Sequence, residues 1–370
     1  MAESQLTPIL FSQGQSSGLS DLSGASPAQV NVLPDALGAL HCRPGIGAWG
    51  EFGAAPVNSP VIGVYPWRQW LLFVTEDRSI WAWQAPGSIL DLGFSLGGTG
   101  RPIWAYDQTR VVVTGGGAPV QWQGVGPATE LAPGAVLPSG APLALTHIAY
   151  LAQRFVGNAN DNSGLLVWTP PGPGSHTSWP IVGPYFAEAE ASPDPVVALY
   201  ANANEFYAFG TETTQVYVPD PSLAFAVAAS EQVGCSAAYS VINTDEDFAW
   251  LDNDYRLIQS NGRGFKVLSS PGMAKDISNL AVVSDCWGAR IKFQTWDLLV
   301  WSFPTEKRSI YFDRETQKWG EFRSTNANGE WIGWLPTSYF FWSERKLHLV
   351  GLSDGTIGEL TMEATTDKGL

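Results

Sequence analysis

Basic residues are scarce in this chain of 370 residues, and over one long stretch they are all but missing. No Lys or Arg occurs between Arg154 and Arg256, and the first Lys is Lys266. Residues 151–250 hold one basic residue against eleven acidic ones, whereas residues 251–370 hold fourteen against fifteen. The whole chain, with 20 basic and 35 acidic residues, carries a net charge of −15. A protein that grips nucleic acid by counterion release needs clustered Lys and Arg, so tight or sequence-specific DNA binding is not expected. Charge of either sign is thin, 15% of residues against roughly 25% in an average soluble domain. The three cysteines, Cys42, Cys235 and Cys286, show no CxxC or CxxxC spacing. That argues against a disulfide framework and for synthesis in a reducing cytoplasm. Apolar runs such as Trp70–Val74 are strand-sized and too short to cross a bilayer. The opening residues lack a basic segment followed by an apolar one, so neither a membrane segment nor a secretory signal is expected.

Catalytic motifs are equally sparse. The four histidines, His41, His147, His176 and His348, stand in unrelated contexts, and no GxSxG or HExxH occurs. Gly97-Gly98-Thr99-Gly100 and Gly115-Gly116-Gly117 lack the GK[ST] ending of a phosphate loop and read as turn glycines. Asn158–Gly164 places oxygen side chains at alternate positions but has no terminal bidentate Glu, so a hairpin turn is the better reading than a calcium loop. Three acidic groups, Glu188/Glu190, Asp245/Glu246/Asp247 and Asp252/Asp254, are the candidates for a glycosidase carboxylate pair. All fall at turn positions, where solvated acids are ordinary. No catalytic residue, cofactor or metal is assigned.

What is present is turn and strand chemistry. Gly 39 and Pro 26 punctuate a chain with 17 Trp, 17 Phe and 11 Tyr. From residue 61 onward, short β-type runs end at Trp83, Trp122, Trp168, Tyr217, Ile258, Tyr311 and Ile357, separated by 39, 46, 49, 41, 53 and 46 residues. The mean, about 46, matches the roughly 40–50 residues of a four-stranded propeller blade. Between these markers lie earlier apolar runs, Trp70–Val74, Val111–Val113, Phe206–Phe209, Phe248–Leu251 and Leu298–Trp301. The prediction is an all-β propeller of about seven blades over residues 61–362, with six or eight left open by the irregular spacing. One short helix is predicted in Ser269–Leu280. Residues 1–60 read as an extended arm partly docked on the body or a neighbour, and residues 363–370 as a tail. Closing the wheel removes exposed sheet edges, and Val30–Leu33 or Val57–Tyr65 is expected to pair into the blade built by Trp342–Leu360.

The middle of the chain carries a resemblance. Tyr150–Val156, then Ser192–Leu199 followed by Phe206–Gly210 and Thr214–Tyr217, then Val233–Ala237 followed by Phe248–Leu251 and Ser269–Met273, share their order with the packaged-DNA stabilisation proteins. Those are tail accessory factors of short-tailed phages. Val30–Pro34 leading to Cys42–Ile46 is similar to the family's opening. The resemblance covers roughly residues 30–280. It implies a virion protein, a head-tail connector or tail hub or nozzle, in a ring of typically six copies that extends and plugs the DNA channel. Implied partners are copies of itself and portal-side or adaptor-side and tail-side virion proteins, with at most non-specific passage of DNA. A carbohydrate-binding or glycan-hydrolysing propeller on the particle surface is the alternative, since exposed indoles can stack on sugars.

The acidic third admits three readings, in this order: a solvated rim, a contact between ring neighbours, and a negative lumen that repels phosphate. Its candidate residues are Glu188, Glu190, Asp194, Glu205, Glu212, Asp245, Glu246 and Asp247. The matching basic edge of the next subunit would be Lys307, Arg308, Arg314, Lys318 and Arg323.

Overall fold

A computed structural model describes residues 30–35, 39–52, 59–172, 176, 178–180, 185–188, 194–202, 204–245, 247–261, 263–326, 328–364 and 366–367. Seven antiparallel meanders follow one another. Blade 1 spans Val61–Ser95, blade 2 Ile103–Glu130, blade 3 Leu145–Glu188, blade 4 Val196–Glu231 and blade 5 Ile242–Val267. Blade 6, Trp287–Gly333, has five strands. Blade 7 takes three strands from Pro336–Thr361 and a fourth from Gly45–Ala48. The first strand of each blade lies nearest the axis, where first strands of neighbouring blades meet.

The reason for a wheel is visible in how the strands alternate. Successive side chains of a strand point to opposite faces. In the second strand of blade 1, Leu72 and Val74 enter a cluster shared with blade 2, whereas Leu71 and Phe73 enter one shared with blade 7. Seven such clusters fill the seven gaps between adjacent blades. Middle strands are therefore apolar on both faces. All seven marker residues lie on third strands and are buried, none more than 3% exposed. The long interval before Tyr311 holds the one helix among the described residues, Pro271–Ser278, whose N-cap Ser270 accepts from the Met273 N–H. Met273 and Ile277 on its inner face extend the cluster between blades 5 and 6.

The two glycine runs turn out to pack on each other. Gly100 N–H donates to the Gly115 carbonyl at 2.8 Å. A Cβ on Gly98, at φ +78°, would sit 2.5 Å from the Gly115 oxygen, so only glycine fits. Arg78 spans the junction, donating to the Leu96 and Gly100 carbonyls at 3.2 and 2.8 Å.

Closure differs from both segments expected. Val32–Pro34 pairs with Leu40–Cys42, Val30 bridges Glu321 of blade 6, and Val61–Trp67 opens blade 1. Residues 53–58 lie outside the described residues. The closing strand is Gly45–Ala48, paired with Ile357–Thr361. Its other edge receives the C-terminal segment: Gly45 and Ile46 N–H donate to the Ala364 and Thr366 carbonyls, both at 3.1 Å. Local pattern could not reveal this, because Gly-Ile-Gly-Ala offers one large side chain and its partner lies some three hundred residues away.

A buried ion pair locks the join. Arg43 meets Asp367 at 2.5 Å, with side chains 8% and 3% exposed. The guanidinium also donates to Asn31 Oδ1 at 2.9 Å, the Pro44 carbonyl at 2.8 Å and the Arg323 carbonyl at 2.8 Å. Asp367 further accepts from Ser324 Oγ. Removing one partner of a buried pair strands the other charge, which costs about 3–5 kcal/mol. Arg43→Ala and Asp367→Ala are each expected to lower stability by that amount, read as a reduced urea midpoint. A double mutant no worse than either single one is expected, since each loss removes the same contact.

Two histidines are held neutral by burial. His147, fully buried, is pushed down to about 3, and His348 to about 4. Their folded values lie below the ordinary 6.5, so the unfolded chain takes up the proton first. Their contribution is complete above about pH 6.5 and is lost as pH falls toward the folded values. His147→Phe is expected to flatten the acid limb of a stability–pH curve, by at most about 1.4 kcal/mol per pH unit, measured by urea unfolding from neutral pH downward.

Candidate functional site

Antiparallel alternation gives the wheel two distinct faces. The upper face carries the turns between first and second and between third and fourth strands. The lower face carries the remaining turns and the links between blades. This assignment places every candidate charge.

Among the acids, Glu205, Asp245 and Asp247 belong to upper turns of blades 4 and 5. Tyr207 Oη donates to Glu205 at 3.1 Å. Asp245 is 82% exposed yet pairs with Arg290 of blade 6. Asp247 accepts from Thr244 Oγ1 and Gln259 Nε2. Glu212 is exposed in a lower turn of blade 4. Asp194 is buried below that turn and accepts from the Glu212 and Thr213 N–H groups at 2.7 and 2.9 Å. It clamps that turn. Glu188 ends the outer strand of blade 3, while Glu190 and Glu246 lie outside the described residues.

The basic candidates also split between faces. Arg314 and Lys318 flank an upper turn of blade 6, and Lys307 and Arg308 a lower one, with Arg323 on the fourth strand. Much of their charge is spent inside the chain. Arg308 and Arg323 grip the two oxygens of buried Glu321 at 2.9 and 2.7 Å. Arg314 and Arg290 share Asp297 at 3.0 and 2.7 Å. Burial alone would raise the Asp297 carboxyl, but the Arg290 hydrogen bonds and the charges of Arg290 and Arg314 hold it below the usual range. Lys307 is exposed. The sequence grouped these residues by proximity along the chain; the fold separates them.

The remaining candidate chemistry resolves into turns. Asp252, pushed upward by burial against the hydrogen bonds and charge of Arg256, meets Arg256 at 2.6 Å, and Arg256 meets Asp254 at 3.1 Å. Asp161 accepts from the Ser163 N–H at 3.0 Å, closing the hairpin at Asn158–Gly164. Buried His176 bonds Asp107 at 2.9 Å, but its other ring nitrogen faces the Gln153 carbonyl at 2.9 Å, where a triad would hold a nucleophile. Among the described residues no cluster of three or more His, Cys, Asp or Glu could hold a metal. No described helix is long and apolar enough to cross a membrane. The three cysteines are free thiols, and burial pushes Cys235 up to about 12.

Two features escaped the sequence. The axis is filled with rings from the first strands: Tyr65 stacks on Trp104 at 5.5 Å and meets Phe340 edge-on at 4.9 Å. His147, just behind them, stacks on Tyr239 at 5.3 Å. What remains includes cavities of about 430 and 360 Å³ toward the upper face and one of about 280 Å³ beside them. None admits a nucleic-acid duplex. The second feature is an apolar rim. Leu223 and Val227 of blade 4, Phe265 and Val267 of blade 5 and Trp331 of blade 6 are all between 41% and 60% exposed on or beside outer strands. Single aromatic letters in strand-like runs could have flagged this rim, but not which edge faces out.

Comparison with known proteins follows the same lines. No curated protein matches the sequence. Among solved structures, the WD40 β-propeller domain of Doa1 superposes with a TM-score of 0.53 at 12% identity, covering 87% of this chain and 98% of that one. A computationally designed protein, Ika8, superposes with a TM-score of 0.48 at 13% identity, covering 86% and 100%. The Doa1 likeness shows the propeller fold alone. The family model described as "Bacteriophage P22 Gp10, beta-propeller" matches residues 78–364, more than three quarters of the chain, and the protein therefore belongs to this family of phage structural propellers.

Proposed function

We propose that this propeller is a ring-forming virion protein of the head-tail connector or of a tail hub or nozzle, about six copies extending or closing the DNA exit channel. It works by contact and carries no catalysis. The observation that carries this reading is the apolar rim on three consecutive blades, in a chain of a phage structural family. Exposed outer strands with large apolar side chains are edges that a neighbour covers. The filled axis supports the same geometry, because a DNA passage then belongs between subunits and not through one. Net charge of −15 suits a wall that DNA slides past, with at most non-specific contact. The charged candidates contribute less to neighbour contacts than the rim does, since Arg308, Arg314 and Arg323 are engaged within the chain. Portal-side or adaptor-side proteins would lie on one face and tail-side proteins on the other.

Native mass spectrometry of the purified chain, alone and with its portal-side neighbour, is expected to give a closed assembly of about six copies. Phe265→Asp combined with Trp331→Asp should abolish it while leaving circular dichroism unchanged. Monomers under every condition, or rings indifferent to both substitutions, would overturn the reading.

A further inference from the structure

The smaller axial cavity has an unusual lining for so acidic a chain. Arg101, immediately before the first strand of blade 2, contributes its guanidinium to the wall. It donates to the Thr337 carbonyl and lies over the Trp287 ring at 5.2 Å. Among the described residues it forms no ion pair; Asp285 attracts it from a distance and does not line the cavity. Burial pushes the guanidinium down to about 10, still charged near neutral pH. No Asp or Glu contributes to the wall at all.

Of the other polar groups in the wall, the Tyr339 hydroxyl bonds His348 Nδ1 at 2.9 Å, but three have no partner. Trp287 Nε1 and Trp104 Nε1 are buried with no hydrogen-bond partner, as is Ser338 Oγ, and all three residues line this cavity. Trp287 is 4% and Ser338 7% exposed. Tyr65 and Tyr200, in the wall shared with the larger cavity, have hydroxyls that burial keeps protonated, so they too can donate. Each buried donor left unmade costs about 1–3 kcal/mol. Arg101 is only partly buried, and a partly desolvated cation without an ion partner also gains from an accompanying anion. The residues that carry these groups line a single space, whose other walls are aromatic and aliphatic. An acceptor-rich, negatively charged group offsets these costs together. The volume, about 280 Å³ opening into about 430 Å³, suits a small molecule.

We propose that the propeller axis is a binding site for a small organic anion, its carboxylate or phosphate held by Arg101, Trp287 Nε1 and Ser338 Oγ and its body packed against Tyr65 and Trp104. Asp107, an acid in the wall of the larger cavity, has its charge paired with the Arg110 guanidinium at 3.5 Å and its oxygens held by His176 and by the Thr109 and Arg110 N–H groups. The larger cavity beside it reaches the upper face, where Tyr106 and Phe341 are exposed. The site is independent of ring formation and would exist in a lone subunit.

Isothermal titration of the full-length protein with inorganic phosphate, benzoate and glucuronate, with glucose as the neutral control, tests this. At least one anion is expected to bind saturably with one site per chain while glucose does not. A response to phosphate alone identifies a phosphate ligand, and a response to benzoate or glucuronate a carboxylate ligand. Losing one hydrogen bond to a charged group corresponds to roughly 10–100-fold in affinity. Arg101→Gln should weaken binding by that factor. Trp287→Phe keeps the ring, removes the N–H and should weaken it by about 10-fold, providing the test if Arg101→Gln does not fold. Absence of saturable binding by all three anions, or affinities unchanged in the folded variants, overturns the proposal and leaves a cavity whose donors are met by water alone.

Discussion

The wheel depends on one four-residue strand that the N-terminal part of the chain lends to the last blade. Every hydrophobic cluster lies between two blades, so the set is complete only if blade 7 meets blade 1. Gly45–Ala48 supplies the outer edge of blade 7, carries Ile46 into the cluster with blade 6, and leads directly to Trp49 and Phe52 in the cluster with blade 1. Arg43 and Asp367 hold that strand from both chain ends, and the guanidinium reaches the backbone of blade 6 as well. Because the pair is nearly dry, its geometry is enforced: a charge there has no water to fall back on.

Once closure is secured, the remaining design follows from where side chains are allowed to point. First strands converge on the axis, and their aromatic rings fill most of it, so the molecule is a plugged disc and not a tube. Acids and bases that were free to face solvent are largely consumed in holding turns and neighbouring blades together, as in the Arg290–Asp297–Arg314 group and the two arginines on Glu321. The surface that remains distinctive is apolar and lies on the rim.

The sequence made the repeating part of this structure legible. Trp83, Trp122, Trp168, Tyr217, Ile258, Tyr311 and Ile357 mark third strands because each third strand is covered on both sides and ends against a turn. Ser270 before Pro271 marked the helix start, since a hydroxyl there satisfies an otherwise orphaned N–H. What stayed hidden depends on contacts between distant segments. Gly45–Ala48 has too little side chain to announce a strand, and Arg43 and Asp367 are 324 positions apart. Arg101, flanked by Gly100 and Pro102, reads as a loop residue until seven first strands bring Trp287 and Ser338 beside it. Asp194 read as a surface acid because composition cannot distinguish a carboxylate in water from one gripping two backbone amides.

The order of synthesis gives the shared blade a further meaning. Gly45–Ala48 leaves the ribosome some three hundred residues before Ile357–Thr361, the strand it must join. At about 5–20 residues per second that interval is roughly 15–60 s, during which six blades can form while the first segment waits without its partner. Throughout, the flank of blade 1 that carries Leu71, Phe73 and Trp83 has Trp49 and Phe52 available to it but lacks the cover that Trp342 and Leu349 of blade 7 later supply. Closure of this wheel therefore waits until Ile357–Thr361 has been made, whatever the earlier blades have done.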